Sequence, residues 1–441
     1  MRVFLVVILV WAFIAINYYS PAYVKASESD NSLPHINDPN FKAELVVKGL
    51  KHPTSMAFLG LDDILVLEKD SGKIKRIVNG VMLKEPILDV NVANKNERGM
   101  LGIAVAPTQD KNTSTTYVFV YYTESSGGRD GDDSITTGRQ PLGNRLYRYE
   151  LGNNKMLNPK LLLDLPSTPN DFHNGGKIIV GPDKNVYLII GDGNRNTTAQ
   201  NLENGSAADG TGGILRITQH GQPVKQKNGA LGILDNKFPL NLYYAYGIRN
   251  SFGIDFDPVT GKLWDTENGP EYGDEINLVD AGFNSGFKKV QGIWPVYNYT
   301  NNKYGIGYLG TDIVQQPNNL VDFNGKGKYS PPEFIWNQSV GVSDIKFFNS
   351  DKYGKKYENK VFVGDCYGRL YLFDLNKDRT SLLFHHHPLF DKIANNPKEL
   401  RDVLFGRGFG GITDLEVGLD GYLYVVSIWE GKIFRIIPKQ T

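Results

Sequence analysis

The sequence predicts an all-β protein, a six-bladed β-propeller of four-stranded antiparallel blades. Three observations point there. One pattern of strand, turn and strand recurs in six imperfect copies, glycine (48) and aromatic residues (12%) are plentiful, and no stretch carries convincing amphipathic helical periodicity. Short apolar runs bounded by Gly, Asp and Asn turns suit strands in tight hairpins.

The copies can be justified in chain order. The first runs through Thr54 to Phe58, Ile64 to Leu67 and Gly72 to Ile77; the second through Gly99 to Val105, Tyr117 to Tyr122 and Asn144 to Tyr149. The third is Gly175 to Val180, Val186 to Ile190 and Gly213 to Ile217, and the fourth is Ser251 to Phe256, Lys262 to Thr266 and Asp274 to Leu278. Val342 to Phe347, Lys360 to Val363 and Gly368 to Phe373 make the fifth. The sixth is the clearest: Gly411 to Val417, a Gly418-Leu-Asp-Gly421 turn, Tyr422 to Ile428 and Gly431 to Ile436. Unequal spacing between copies implies blades carrying long loops, at 125–143, 192–212, 222–242, 288–335 and 376–408. Loops on a rigid scaffold are where function collects.

Lys plus Arg and Asp plus Glu number 48 each, so no net field recruits nucleic acid or an anionic membrane. Met1 and Arg2 precede an apolar run from Val3 to Ile16, and Val24-Lys-Ala-Ser27 offers a small-residue cleavage pattern. Residues 1–26 are therefore expected to be a signal peptide or an N-terminal anchor, with 27–41 a linker and 42–438 the propeller. The protein is expected to be exported, to the cell exterior or the outer face of the membrane, touching the membrane only if the first segment stays uncleaved. Cys366 is the one cysteine, which excludes an intrachain disulfide.

In a propeller the first strand of each blade lines the channel, so the residues just before it gather at one rim. Repeat alignment places Glu97, Arg98, His173, Asn174, Arg249 and Asn250 there. The loops after second strands should open on the same face, among them Gly191-Asp-Gly-Asn194 and Asn268 to Glu275. His173 suits a general base near neutral pH, or else a histidine that satisfies blade backbone. Arg249 suits stabilisation of an anionic oxygen, or an ion pair with Glu97 across the channel. Carbonyls of Gly269-Pro270 and the carboxylates Asp274-Glu275 suit Ca²⁺, whose shell is all oxygen. His385-His386-His387 reads as a loop cluster, because three consecutive residues cannot all face one ion in extended chain.

On these motifs the chain resembles the glucose/sorbosone dehydrogenase family, over roughly residues 42 to 438. The carriers are Glu97-Arg-Gly-Met-Leu-Gly-Ile-Ala104, His173-Asn-Gly-Gly176, Gly181-Pro-Asp183, Gly191-Asp192, Tyr246-Gly-Ile-Arg-Asn250, Glu267-Asn-Gly-Pro270, Gly273-Asp-Glu-Ile-Asn277 and Asp420-Gly-Tyr-Leu-Tyr424. The resemblance implies a six-bladed quinoprotein using pyrroloquinoline quinone (PQQ) and Ca²⁺ to oxidise the C1 hydroxyl of an aldose, with electrons passed to an external acceptor. It implies that His173 is the base and that Arg249 and Asn250 face the reactive quinone oxygen. It also implies that Glu97 and Arg98 lie against the cofactor, that Gly269 and Pro270 hold its calcium, and that Glu275 binds a structural calcium.

The chain departs from the family pattern at several positions. Glu97 stands where family enzymes often have Gln, and Phe172 where they have an acidic or small residue. Gly411-Ile412-Thr413 replaces an Arg-X-Arg pair, and a lysine of the fifth blade has no clean counterpart around Asp365 to Gly368. PQQ carries three carboxylates, so its grip would pass to other cations such as Arg98, Arg369 or Arg407. The alternative is a non-catalytic propeller that binds glycan or protein through the same rim.

Overall fold

The computed structural model describes residues 33–107, 115–131, 138–195, 197–270, 272–287 and 320–439, and the backbone of 296–298 and 303–305. They belong to one compact unit, Leu33–Thr441. The expected signal or anchor segment, 1–26, lies outside the described residues. Among those described, no helix is long and apolar enough to cross a membrane.

The architecture is all-β, with four-stranded antiparallel sheets in a propeller arrangement and, among the described residues, only four short 3-10 turns. In chain order the innermost strands are Pro53–Gly60, Met100–Pro107, Ile178–Val180, Gly253–Phe256, Val342–Phe347 and Ile412–Val417. Each packs against the next around an axis, and Ile412–Val417 returns to Pro53–Gly60. Alternating side chains explain why the sheets stack. In Phe41–Lys48, Phe41, Ala43 and Val47 face inward while Lys42 and Lys48 face solvent. Middle strands such as Leu423–Ser427 are buried on both faces, because a neighbouring sheet covers each side.

The ring is closed by joining the two ends of the unit in one sheet. Ile412–Val417, Leu423–Ser427 and Lys432–Pro438 are completed by Phe41–Lys48, with Phe41 opposite Pro438 and Lys48 opposite Lys432. The residues expected as a linker are thus partly structured. His35–Ile36 also pairs with Leu404–Arg407 at the edge of the preceding sheet.

Several sheets exceed four strands, and each addition is a two-residue piece of loop. Phe283–Asn284 and then Lys328–Tyr329 add in parallel beside Tyr243–Tyr246. Ile393–Ala394 adds in parallel beside Phe334–Trp336. These segments are too short to show a period of two, and they cover sheet edges that would otherwise offer unpaired backbone.

Charged groups pin the channel. Asp255 accepts the backbone N–H of Phe347 at 2.8 Å, Asp344 that of Leu415 at 2.7 Å, and Asp414 that of Met56 at 2.6 Å. One innermost strand is thereby tied to the next three times in succession. Lys177 sits among them, donating to Asp344 at 2.9 Å, to Glu416 at 3.1 Å and to Asp414. That lysine lies four residues beyond His173, so the channel cluster fixes the strand that the histidine precedes.

Candidate active site

His173 enters with its backbone in the left-handed region, at φ 62°, uncommon for a residue with a side chain. Such strain costs of order 1–3 kcal/mol and persists only where the surroundings impose it. Two contacts do so here. The His173 N–H donates to Glu97 Oε2 at 2.5 Å, and its Nδ1 lies 2.5 Å from Asp192 Oδ1. An ionised carboxylate can only accept, so Nδ1 carries the proton and Nε2 keeps its lone pair. Nε2 has no hydrogen-bond partner among the described residues, which leaves it available as a base.

Asp192 is held in turn. Its Oδ1 accepts the Asn194 N–H at 2.9 Å, and its own N–H donates to the Arg249 carbonyl at 2.7 Å. Gly191 makes this possible by close approach: a Cβ there would lie 2.6 Å from the His173 carbonyl oxygen and 2.7 Å from that of Arg249. The Gly-Asp-Gly-Asn hairpin thus carries one carboxylate to His173 while bringing the 173 and 249 backbones together.

Arg249 donates its N–H to Glu267 at 2.7 Å and its guanidinium to the carbonyls of Asn268 at 3.0 Å and Gly269 at 2.8 Å. It does not pair with Glu97, which instead receives the Asn250 amide at 3.3 Å. Among the described residues the Arg249 guanidinium therefore has only neutral carbonyl partners. Asn250 Oδ1 beside it is buried and has no hydrogen-bond partner among the described residues. Burial holds the Glu97 carboxyl above its usual range, opposed by the hydrogen bonds it receives from His173, Asn174 and Asn250.

The Gly269-Pro270 loop is fastened by Asp274, which accepts from Gly269 N at 3.0 Å, Ser339 Oγ at 2.8 Å, Val340 N at 2.7 Å and Gly341 N at 2.7 Å. Asp274 is thus committed to holding loops together. Pro270 is exposed. Glu275 points to the opposite face of its strand, where it is buried beside Glu267 and Asp265. Burial, with the Glu275 and Asp265 charges, pushes Glu267 well above the usual carboxylate range. Among the described residues no three His, Cys, Asp or Glu side chains are gathered as metal ligands.

His173, Glu97, Arg249, Asn250 and Gly269 therefore meet, as the repeat alignment expects. Arg98 does not join them: it is buried, donating to the carbonyls of Ser167 at 2.5 Å and Asn170 at 2.9 Å. Of the substitute cations, Arg369 is paired with Asp365 at 2.6 Å. Where the family carries an arginine pair, Trp429 takes the space: a Cβ on Gly411 would meet its indole at 2.5 Å. Sequence reasoning noted the loop of Asp192 as rich in oxygen ligands but gave the aspartate no role. The glycines on either side of it were the available signal for a close approach.

Comparison with known proteins places the chain in a family. The aldose sugar dehydrogenase YliI of Escherichia coli is 27% identical over 406 residues, which cover 90% of this chain and 92% of that protein. A glucose dehydrogenase-like oxidoreductase of Thermus thermophilus has the same fold, with TM-score 0.65 and 23% identity over 90% of this chain and all of that one. The PQQ-bound aldose sugar dehydrogenase of Streptomyces coelicolor aligns with TM-score 0.59 at 20% identity, over 90% of this chain and 98% of that one. The Glucose / Sorbosone dehydrogenase pattern matches residues 50–435. The chain belongs to the glucose/sorbosone dehydrogenase family.

Proposed function

We propose that the chain is an exported PQQ- and calcium-dependent sugar dehydrogenase that oxidises the C1 hydroxyl of aldoses, on a six-bladed propeller. The observation that carries this reading is the His173–Asp192 pair, whose Nε2 has no hydrogen-bond partner among the described residues, beside a guanidinium that among those residues meets only carbonyls. The Streptomyces coelicolor relative binds PQQ, and the Escherichia coli relative is an aldose sugar dehydrogenase. The ring of innermost strands supports the blade count, and the apolar run after Arg2 supports export.

The donor set suits the reacting half of such a cofactor. Arg249 offers a positive charge that among the described residues meets only carbonyls, Asn250 an amide oxygen with no partner among them, and the Gly269-Pro270 loop neutral carbonyl oxygen. Arg249, Asn250 and Glu97 would border the quinone, Gly269 and Pro270 would hold its calcium, and Glu275 would hold a structural calcium. The chemistry PQQ supplies when bound is acceptance of hydride from the sugar's C1. His173 Nε2 takes the proton of the C1 hydroxyl, and Asp192 stabilises the resulting imidazolium through Nδ1–H. Arg249 counters negative charge that develops opposite the sugar.

Titrating PQQ into calcium-loaded protein and following dye reduction with a panel of aldoses tests the reading. Saturable binding and aldose-dependent turnover, both lost in EDTA, are expected. Absence of cofactor binding would favour the second reading, a propeller that binds glycan or protein without turnover. That reading draws on Trp429 standing over Gly411, where an anchoring cation would otherwise sit.

A further inference from the structure

Toward the end of the propeller away from His173, where the second and third blades meet, three basic side chains gather. Arg148 lies in Gly143–Gly152, Lys160 stands directly opposite it in Lys155–Leu165, and His220 sits in the turn that follows Gly213–Ile217. Strand register gives the location. Ile217 pairs with Val186, at the end of its sheet away from Gly191, and Tyr117, on which Arg148 rests, pairs with Ala106, away from Met100. The turn is drawn in by Gly221, at φ 85°, where a Cβ would lie 3.3 Å from Leu162 of the strand that carries Lys160.

Arg148 is only 8% exposed, and its guanidinium meets neutral groups alone. It lies 4.1 Å from the Tyr117 ring centroid, and Nη1 donates to the Gln219 carbonyl at 3.2 Å and to His220 Nδ1 at 2.8 Å. A guanidinium can only donate, so Nδ1 accepts and the His220 proton sits on Nε2. Arg148 Nε is buried without a partner, and Nη2 makes no hydrogen bond among the described residues. Among those residues no carboxylate pairs with Arg148, Lys160 or His220. The acids of the surrounding elements are engaged elsewhere. Glu150 accepts from Asn158 at 2.7 Å, Glu124 and Asp164 each from Arg145 at 3.0 Å, and Asp183 from Arg216 at 2.9 Å. Desolvation of the ring, then the Arg148 and Lys160 charges, hold His220 below its ordinary value. A buried cation with no counter-charge, faced by a second cation across the strand pair, is an unfavourable arrangement that an anion relieves. Lys160 and His220 are exposed, so an anion can reach them.

We propose that Arg148, Lys160 and His220 form a binding site for a tetrahedral oxoanion, a phosphate or sulfate group, separate from the candidate active site. Basic groups from two strands and a turn match a doubly charged ion with oxygens in more than one plane better than a flat, singly charged carboxylate. Calorimetry on the full chain, at ionic strength held constant with sodium chloride, should show saturable binding of sulfate and of inorganic phosphate. Arg148→Met should weaken it at least about tenfold and Lys160→Met several-fold. Met keeps an apolar stem over Tyr117, and Lys160 is exposed, so the second variant reports even where the first fails to fold. Glycerol phosphate binding more tightly than inorganic phosphate would assign the site to a phosphate ester, and the reverse order to the free ion. Sulfate stays doubly charged where histidine titrates, so its pH dependence reports His220. Bound sulfate should raise the His220 titration, followed by NMR, by about one unit, and its affinity should grow as pH falls, a trend that His220→Gln removes. Acetate binding as tightly as sulfate would overturn the tetrahedral class. Absence of saturable binding, or affinity unchanged in Arg148→Met and Lys160→Met, would overturn the site.

Discussion

Replacing Asp192 with Asn tests the catalytic assignment, because it removes one charge and changes almost no volume. In the native protein the buried carboxylate faces Nδ1 at 2.5 Å and also receives the Asn194 N–H at 2.9 Å on the same oxygen. If the new amide keeps its oxygen toward the ring, the lost quantity is the difference between a charge-assisted and a neutral hydrogen bond, about 1–2 kcal/mol. That alone slows proton removal about tenfold. If the amide turns its NH₂ toward Nδ1, the proton moves to Nε2 and the base is lost. Together these lower kcat by about 10²–10⁴, the usual range for a general base. KM should shift little, because Asp192 is buried behind the ring. The assay is aldose-dependent dye reduction by PQQ- and calcium-loaded protein, with cofactor affinity measured in parallel. A variant within about threefold of wild-type kcat would refute the role of the pair.

Three further predictions concern the scaffold. Lys177→Met leaves Asp344, Asp414 and Glu416 in the channel without their shared cation and should cost about 3–5 kcal/mol in urea unfolding; an unchanged midpoint would remove the cluster from the energetics of the fold. Asp274→Ala strands the N–H groups of Gly269, Val340 and Gly341 and should cost at least about 3 kcal/mol, measured the same way. Burial pushes the Asp265 carboxyl from 3.8 to about 7, opposed by a hydrogen bond from Asn277. Between those values the folded state holds a proton that the unfolded chain releases. Its contribution is therefore fully present below about pH 4 and lost as pH rises toward 7, by up to about 4 kcal/mol. Asp265→Asn in EDTA should flatten that slope, and parallel pH profiles for variant and wild type would contradict it.

How far the sequence reaches can be seen at neighbouring residues. Glu97 and Arg98 both fall at the rim in the repeat alignment, yet only Glu97 meets His173. Arg98 is turned to the carbonyls of Ser167 and Asn170. Successive side chains in extended chain point to opposite sides, and a motif names positions without naming directions. Asp274 and Glu275 divide in the same way, one fastening the Gly269 loop and the other buried on the far face. The convergence of His173, Asn250 and Gly269 was legible, because the first two precede the innermost strands of their repeats and the third lies in a loop after a second strand, which opens on the same face. Asp192 was not, because which way a hairpin aspartate faces depends on the two backbones that Gly191 lets approach. The two-residue parallel additions at the sheet edges leave no periodic trace at all.

The reaction itself can be observed in one turnover. Protein loaded with PQQ and Ca²⁺ is mixed with an unlabelled aldose or with the same aldose deuterated at C1, and reduction of the bound quinone is followed spectroscopically. Reduction by wild-type protein, slowed by the deuterium and abolished by His173→Ala without loss of cofactor binding, is the predicted result. A loaded protein whose quinone no aldose reduces, or one reduced equally fast after His173→Ala, would contradict it.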